Sequence, residues 1–401
     1  SLSILRCRAV LATETGQPVE VLSIEGFSIN VGEARSVSMA SRWDFQRTGV
    51  YLVDVILETG DGTVISQALP FRILPVPLPL APSTDPGGEG LRTLYQQPIN
   101  WGLLHIGAPD AWRVTHGRRN IVIAVIDSGI DHSIPQLAAS MWVNPREVAG
   151  NGIDDDGNGY IDDVHGWDFR DDDACSLMGS PIHWHGTFVA AIIAAQPGDV
   201  PMVGVAPGVR IMDVRFLDSK NLFSSRDWPA FAKAIDYAVD NGAHIINLSI
   251  YSNARPPAVF EQAVQRAVQA GVILVGIAGN TGQVGVLYPG KYSEILAVAA
   301  VDAENRRAEF SSWGPEVAFV APGKDIVSFL PGGQTGTRSG TSFAAPHVTG
   351  TLALILSAYP HLSPAAAVEL LAASTVSPGG AQGTSLWSGG GLIDARMALS
   401  P

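Results

Sequence analysis

The sequence predicts an α/β protein whose larger domain is a doubly wound, mostly parallel β-sheet, preceded by a small all-β sandwich domain. Three observations lead to this prediction. Short continuous apolar runs recur along most of the chain, helical stretches that end in glycine lie between them, and a proline-rich segment separates both from a strand-rich beginning.

Residues 1–75 contain strand signals and no helical stripe. Val50–Leu57 is rich in β-branched and apolar residues, and a Thr-Gly-Asp-Gly-Thr turn joins it to a second run that ends at Ile73. Val19–Ile29 and Ala34–Met39 are weaker strand candidates. We therefore predict an immunoglobulin-like β-sandwich over this part of the chain.

Residues 76–93 form the predicted boundary between the two domains. Prolines alternate with other residues from Pro75 onward, and a glycine-rich stretch follows as far as Gly90. Because alternating prolines favour an extended chain, this composition is typical of a semi-rigid linker.

Residues 94–401 form the second predicted domain, in which strands alternate with helices. Ile121–Ile126 is a continuous apolar run that ends at Asp127, as expected of a strand buried on both faces. Similar runs are Val209–Phe216, His244–Ile250, Val272–Ala278, Ile295–Val301 and Val317–Val320.

The helices between these strands have recognisable ends. Trp228–Asp240 and Pro257–Ala270 are followed by Gly242 and Gly271, and a helix C-terminus favours the positive φ that glycine adopts. Ligands of such a sheet bind at the carboxyl ends of its strands. The polar residues at or just past those ends are Asp127, Ser249 and Asn280.

The composition argues against several classes of function. The 401 residues, 46% of them hydrophobic, are enough for one large core and a smaller domain. A formal net charge of −13 argues against nucleic acid or an anionic membrane surface as a partner, and no apolar run is long enough to span a bilayer. The chain starts Ser-Leu-Ser-Ile-Leu, as expected of a processed or trimmed chain. Cys7 and Cys175 predict neither a disulfide framework nor a zinc site.

Ser342 lies in the segment Gly-Thr-Ser-Phe-Ala-Ala-Pro-His-Val, at the start of a predicted helix that runs to Tyr359. The apolar stripe of this helix consists of Ala344, Ala345, Val348, Leu352 and Ile355. Pro346 is expected in its first turn, where backbone N–H groups lack intrahelical partners. A hydroxyl there faces free N–H donors and the positive end of the helix dipole, which favours an oxyanion. An N-cap serine is the alternative interpretation.

A serine hydroxyl becomes a nucleophile when a base lies within hydrogen-bond reach and a carboxylate orients that base. The chain has Asp127 in Val-Ile-Asp-Ser-Gly-Ile-Asp, His185 in Trp-His-Gly-Thr-Phe-Val-Ala, and Asn280 in Gly-Ile-Ala-Gly-Asn-Thr-Gly. Taken alone, each has a structural explanation as a turn cap, a histidine at a helix start or a turn residue. The motifs together, in this order and with Ser342, favour a catalytic site.

These motifs resemble those of the subtilisin-like serine peptidases (subtilases), and the resemblance spans roughly Leu94 to Met397. It implies a subtilisin-like fold and a serine endopeptidase that hydrolyses peptide bonds in proteins through an acyl-enzyme intermediate. In that reading Ser342 attacks the carbonyl, His185 moves the proton and Asp127 orients the imidazole. The Asn280 amide and the Ser342 N–H stabilise the oxyanion. The order Asp, His, Ser differs from that of α/β-hydrolases, in which the histidine comes last.

The resemblance also implies two segments that pair with the substrate backbone. The matching positions are Ser249, Ile250, Tyr251, Ile277, Ala278 and Gly279. Tyr251 stands where the family usually has glycine, and we expect it to narrow or reshape the mouth of the primary pocket. Phe188 replaces the second histidine of the family's His-Gly-Thr-His motif, at a position without a catalytic role.

The acidic loop Asn151–Asp163 predicts a structural calcium site. Calcium binds about six to eight oxygens from carboxylates, amides and carbonyls on a tight loop. The candidate ligands are Asp154, Asp156, Asn158, Tyr160, Asp162 and Asp163. His165 stands where an EF-hand loop has its bidentate glutamate. A solvated acidic turn is the alternative, although the carboxylates repel one another without a cation. Many subtilases are stabilised by calcium, so the resemblance favours the metal.

The resemblance implies secretion, and calcium is available outside the cell.

The sequence leaves two alternative functions open. One is a peptide ligase or macrocyclase on the same scaffold, and the other is an inactive binding protein. Residues 1–75 lack the mixed α/β pattern of a subtilase propeptide, which favours an accessory module with its own partner. A propeptide and a lid are the alternatives for this domain. We interpret Cys175 as a structural or free thiol.

Overall fold

In the computed structural model, residues 101–378 and 387–400 are described in full, together with the backbone of strands 2–13, 18–29, 49–59 and 64–73. The chain divides into two compact units, residues 1–78 with residue 401 and residues 79–400. The predicted strand Ala34–Met39 and the predicted linker 76–93 lie outside the described residues.

The first unit contains one four-stranded antiparallel sheet, in the order β2-β1-β3-β4. Its strands are β1 Leu2–Thr13, β2 Pro18–Ile29, β3 Gly49–Thr59 and β4 Val64–Ile73. A sandwich requires two packed sheets, and the described strands of this unit belong to one. The immunoglobulin-like sandwich therefore stays a prediction.

The second unit is built on a seven-stranded sheet in the order β11-β10-β9-β8-β5-β7-β6, and every neighbouring pair is parallel. The strands are β5 Val122–Asp127, β6 Gly166–Asp168, β7 Arg210–Arg215, β8 Ile245–Leu248, β9 Ile273–Ile277, β10 Ile295–Val301 and β11 Val317–Pro322. The predicted parallel sheet is confirmed. The sequence did not indicate β6, whose three residues are too short to form an apolar run. An antiparallel hairpin follows, with strands β12 Ile326–Phe329 and β13 Thr335–Arg338.

Helices connect the strands. They are α1 Trp101–His105, α2 Ala108–Ala111, α3 Pro135–Ala138, α4 Trp184–Ala194, α5 Trp228–Asp240, α6 Ala258–Gln269, α7 Thr341–Ala358, α8 Pro364–Ala373 and α9 Ala395–Leu399, with a 3₁₀ turn at Ser225–Asp227. Gly242 and Gly271 follow α5 and α6 with φ of 79° and 80°, as the sequence predicts.

The sheet is covered on both faces because successive side chains of a strand point to opposite sides. In β5, Ile123 and Val125 pack into the core that contains α4 and α7, whereas Ala124 and Ile126 pack into the core that contains α5 and α6. Both faces are buried, which explains why the strands are apolar without alternation. The predicted doubly wound arrangement is confirmed.

Helix α7 is buried along its whole length, so its apolar character extends beyond the stripe expected from the sequence. Pro346 lies in the second turn rather than the first, which corrects the predicted position. Proline has no N–H to bond the carbonyl of residue 342, four residues earlier. That carbonyl instead accepts a hydrogen bond from Ser249 Oγ at 3.0 Å. A contact from another element therefore replaces the missing helical bond.

His347, one residue after Pro346, is fully buried in α7. Its Nδ1 lies 2.7 Å from Phe343 O and donates to that carbonyl. Burial lowers the pKa of this imidazole to about 4, although the Phe343 carbonyl opposes the shift. The folded protein therefore holds His347 neutral where an unfolded chain binds a proton.

We expect the His347→Gln variant to lose less stability than the wild type on acidification. Between the unfolded pKa of about 6.5 and the folded pKa, the unfolded chain binds more protons, so stability falls as the pH falls. The measurement is the free energy of urea unfolding at several pH values across this window. The exposed His361→Gln is the control and should keep the wild-type slope. Equal slopes in His347→Gln and the wild type would contradict the prediction.

Candidate active site

Asp127 and His185 form a buried pair at one end of the sheet. Asp127 is the last residue of β5, and His185 lies in the first turn of α4. His185 Nδ1 lies 2.8 Å from Asp127 Oδ1 and 3.0 Å from Oδ2, and both side chains are almost completely buried. A buried carboxylate in this position favours a proton on Nδ1, so that Nε2 remains free to accept one.

Close backbone approach makes this contact possible. A Cβ atom on Gly186 would lie 2.5 Å from Gly129 O, so only glycine allows α4 to approach the loop after β5 so closely. Ser128 Oγ accepts a hydrogen bond from Gly186 N at 3.0 Å and donates one to His183 O at 3.2 Å. The loop after β5 is therefore tied to the start of the helix that carries His185.

Ser342 lies at the second position of α7 and is held against the end of β8. Its Oγ donates to Ser249 O at 3.3 Å, and Ser249 Oγ donates in return to Ser342 O at 3.0 Å. Asn247 supports this pair, because its Nδ2 donates to Ser249 Oγ and its Oδ1 accepts from Thr349 Oγ1 of α7, both at 2.9 Å.

Asn280 is oriented by the residue before Ser342. Its Oδ1 accepts hydrogen bonds from the backbone N–H of Thr341 at 2.9 Å and from Thr341 Oγ1 at 2.8 Å. Because the oxygen end of the amide is held in this way, the Nδ2 end is the one that is available as a donor.

One cleft of about 510 Å³ brings these residues together. It is lined by His185, Ser342, Asn280 and Ser249–Tyr251, and Tyr251 is 39% exposed at its surface. Asp127 lies behind His185, buried from the cleft. The structure thus brings to one place the residues that the motifs singled out.

Ile277, Ala278 and Gly279 differ from the sequence expectation. Ile277 and Ala278 are fully buried, and none of the three lines the cleft. The N–H of Ala278 bonds Val298 O, its carbonyl accepts from Leu287, and the carbonyl of Gly279 accepts from Ser312. Because the sheet and the following loop already use these backbone groups, they are not free for a substrate strand.

Sequence reasoning missed two walls of the cleft. His183 and Trp184 line it beside His185, and Leu217 and residues 220–223 of the loop after β7 line it as well. Burial, followed by the charge of His185, lowers the pKa of His183. The aromatic residues around His185 were visible in the sequence, but nothing in the sequence placed this loop at the cleft.

The acidic loop is folded around a different set of carboxylates from the predicted one. Glu147, Asp154 and Asp156 bring one oxygen each within 4.8 Å of one another. Glu147 was not among the predicted ligands, although it lies only a few residues before the loop. Arg146 Nη2 lies 3.0 Å from Asp156 Oδ2 and partly neutralises the cluster.

The remaining predicted ligands serve other contacts. Asp163 is buried and accepts hydrogen bonds from Asn144, Asn158 and the Tyr237 hydroxyl, at 2.9, 3.0 and 2.6 Å. Burial raises the pKa of its carboxyl. Asp162 accepts from the backbone N–H groups of residues 151 and 152. The Tyr160 ring packs against Tyr237. The carboxylates of Asp162 and Asp163 thus have other partners and are not in the cluster of Glu147, Asp154 and Asp156, whereas the Tyr160 carbonyl and Asn158 stay predicted ligands.

Cys175 is a free cysteine, in agreement with its interpretation from the sequence. Its Sγ lies 3.5 Å from His132 Nε2, and burial raises the pKa of the thiol. Among the helices of the described residues, none has the length and apolarity needed to cross a membrane.

Comparison with known proteins places this geometry in a family. The sequence profile of the Subtilase family matches residues 118–390. The chain is 35% identical over 307 residues to a thermostable alkaline protease of Halalkalibacterium halodurans, covering 77% of this chain and 76% of the relative. It is 35% identical over 306 residues to a subtilisin of Bacillus pumilus, covering 75% of this chain and 99% of the relative.

A solved structure agrees. The prenylagaramide maturation protease PagA has a TM-score of 0.59 and 29% identity to this protein, covering 73% of this chain and 97% of that chain. The profile match extends over more than half of the chain and includes Asp127, His185, Asn280 and Ser342. The resemblance seen in the motifs is confirmed, and the chain belongs to the subtilase family of serine peptidases.

Proposed function

We propose that this protein is a serine endopeptidase that hydrolyses peptide bonds in proteins through an acyl-enzyme intermediate. The observation that carries this proposal is the buried contact between Asp127 and His185, because His185 lines the same cleft as Ser342 at the N-terminus of α7. In this mechanism Ser342 is the nucleophile, His185 is the general base and then the general acid, and Asp127 orients the imidazole.

The first step needs a proton acceptor and a shift of one hydrogen bond. Ser342 Oγ donates to Ser249 O in the free protein. Catalysis requires this hydroxyl to donate to His185 Nε2 instead, because a hydroxyl is a weak nucleophile until a base takes its proton. As the serine oxygen bonds to the carbonyl carbon, His185 becomes an imidazolium, whose charge the adjacent Asp127 carboxylate stabilises. The imidazolium then gives its proton to the leaving amine.

The negative oxygen formed in this step requires preorganised donors. The backbone N–H of Ser342 belongs to the first turn of α7, where N–H groups have no intrahelical acceptor. The Nδ2 amide of Asn280 is the second donor, since Thr341 holds its oxygen end. Such donors act in the transition state because their orientation is set before the reaction.

Substrate binding is proposed along Ser249–Tyr251, which lines the cleft. An extended peptide would pair with this segment in the manner of an added strand. Tyr251, at the surface of the cleft, would narrow the entrance to the pocket for the residue before the scissile bond.

A fluorophosphonate probe tests the nucleophile directly. We expect covalent labelling of Ser342 in the wild type, and its loss in Ser342→Ala and in His185→Ala. Ser339→Ala is the matched control for a serine that lines the same cleft and should retain labelling at residue 342. An unlabelled wild-type protein would favour the alternative of an inactive binding protein. Mass spectrometry of peptide products separates hydrolysis from ligation or cyclisation, in which a peptide amine opens the acyl-enzyme.

Asn280→Ala should lower kcat with little change in KM, because its amide acts on the charge that develops in the transition state. Loss of one such donor lowers turnover by about 100- to 1000-fold in subtilisin itself, and we take that magnitude from the family's namesake. Steady-state kinetics on a peptide substrate give both constants. A rise in KM at unchanged kcat would instead assign Asn280 to ground-state binding.

We propose a structural calcium ion at Glu147, Asp154 and Asp156. The donors are all oxygen atoms, and three carboxylates so close together repel one another without a cation. In this arrangement the ion would fasten the acidic loop to the segment before it. The Arg146 contact with Asp156 opposes the proposal, because the guanidinium already neutralises part of the charge.

Calcium should raise the melting temperature of the wild type, and chelation should lower it. A ligand at about 100 times its Kd stabilises a protein by about 2.7 kcal/mol. We expect Glu147→Gln to abolish this increment and Asp162→Asn to keep it, as measured by thermal unfolding with calcium and with chelator. If calcium still raises the melting temperature of Glu147→Gln but not that of Asp162→Asn, the ligand set predicted from the sequence is supported instead.

We further propose that the protein acts outside the cell, where calcium is available to fill such a site. For the unit of residues 1–78 we propose an accessory module with a partner of its own, and a lid or a propeptide is the alternative role.

A further inference from the structure

The cleft carries positive charge although the chain is acidic. Lys220 lines it, and none of its described lining residues is aspartate or glutamate. The chain has 38 acidic and 25 basic residues, so acidic groups would be expected there if charges were distributed at random. A second cation, Arg338, lies next to the cleft, one residue before the lining residue Ser339.

Arg338 is held on an aromatic surface beside His185. Its guanidinium carbon lies 4.8 Å from the centroid of the Trp184 ring. That ring is fixed by neighbouring aromatic side chains, with centroid distances of 5.8 Å to Phe188 and 6.2 Å to Phe343. The centroids of Trp184 and His185 are 5.7 Å apart. Stacking therefore places the guanidinium one ring away from the imidazole and restricts its motion.

The guanidinium keeps donors for a ligand. Its described hydrogen bond is Nη1 to the neighbouring Thr337 O at 2.9 Å, and it forms no ion pair among the described residues. Two carboxylates of neighbouring segments have other contacts: Asp325, which precedes the Arg338 partner Ile326 in the hairpin, and Asp218, which follows the lining residue Leu217. Asp325 accepts from Ser339 Oγ at 3.2 Å, and Asp218 accepts from the backbone N–H groups of residues 220 and 222. A stacked arginine with free donors is suited to bind a carboxylate with two hydrogen bonds.

The position of Arg338 indicates which part of a substrate it meets. Under the proposed function, the acyl part of a substrate lies along Ser249–Tyr251, which lines the cleft. His185 delivers its proton to the departing amine, and Trp184 with Arg338 lies beside His185. The departing segment of the substrate therefore leaves past the guanidinium.

We propose that Arg338, stacked on Trp184, makes this peptidase prefer substrates with a carboxylate in the segment that follows the scissile bond. This proposal rests on the proposed function and names its substrate class. The carboxylate comes from an acidic side chain or from the C-terminus of a short departing segment. Arg338 is a specificity-determining residue here, since it contacts neither the reacting carbonyl nor the nucleophile.

The test compares matched peptides. The cleavage site is first located on an uncharged peptide, and glutamate or glutamine is then placed at each of the following positions. We expect kcat/KM to be about three- to tenfold higher for glutamate at the best position, the range for an ion pair that is partly exposed and charge-assisted. A second pair, ending in a free or an amidated C-terminus shortly after the bond, separates a terminal carboxylate from a side chain.

Variants assign the preference to the guanidinium. Arg338→Gln should bring the ratio of kcat/KM values for glutamate and glutamine peptides close to one, and Arg338→Lys should retain part of it. Lys324→Gln is the matched control, because it removes a nearby cation that is paired with Glu309 outside the cleft, and it should keep the wild-type ratio. Raising the salt concentration should reduce the preference, since ions screen exposed charges.

The failures of the two proposals are distinguishable. Wild-type protein that cleaves no peptide and takes up no fluorophosphonate contradicts the proposed function. Wild-type protein that cleaves glutamate and glutamine peptides equally well contradicts only the role of Arg338. A preference that persists in Arg338→Gln and disappears in Lys220→Gln would contradict the assignment to Arg338 and transfer the preference to the other cation.

Discussion

The reciprocal hydrogen bonds between Ser249 and Ser342 are the contact on which the arrangement of the cleft depends. They join the carboxyl end of β8 to the N-terminus of α7. One of them exists because Pro346 leaves the carbonyl of Ser342 without a helical partner. A residue that weakens an isolated helix thus allows a specific contact between two elements, and that contact determines where the Ser342 hydroxyl lies.

The sheet supplies the second constraint. Strands β9, β8 and β5 are neighbours and run parallel, so their carboxyl ends lie side by side. Asp127 is the last residue of β5, and Ser249 and Asn280 follow the ends of β8 and β9 within a few residues. The same order places β7 beside β5, where Arg215 pairs in register with Asp127. Arg215 is completely buried and donates to Asp168 at 2.8 Å and to Ser180 O at 2.9 Å. It therefore ties the loop before His185 to the sheet.

Much of the second unit is predictable from the sequence because its strands and helices are strongly patterned. A strand such as Ile295–Val301 has the same bounds in the prediction and in the structure, since both of its faces must be apolar. The three-residue strand β6 gave no such signal. The motifs also identified Asp127, His185, Asn280 and Ser342, which one cleft and the buried pair behind it bring together. In the acidic loop, spacing identified Asp154 and Asp156 but did not show that Glu147 joins them or that Asp163 accepts a hydrogen bond from the Tyr237 hydroxyl.

The sequence by itself determined the fold class of the second unit, the family and the residues that make up the candidate active site. These depend on local patterns and on short motifs, which are fully present in the order of the residues. The tertiary structure alone decided that Glu147 joins Asp154 and Asp156, that the carbonyls of Ala278 and Gly279 accept hydrogen bonds from Leu287 and Ser312, and that Arg338 lies over Trp184. The spacing of these residues in the sequence does not predict their contacts, because the distances between them depend on how the loops pack against the core.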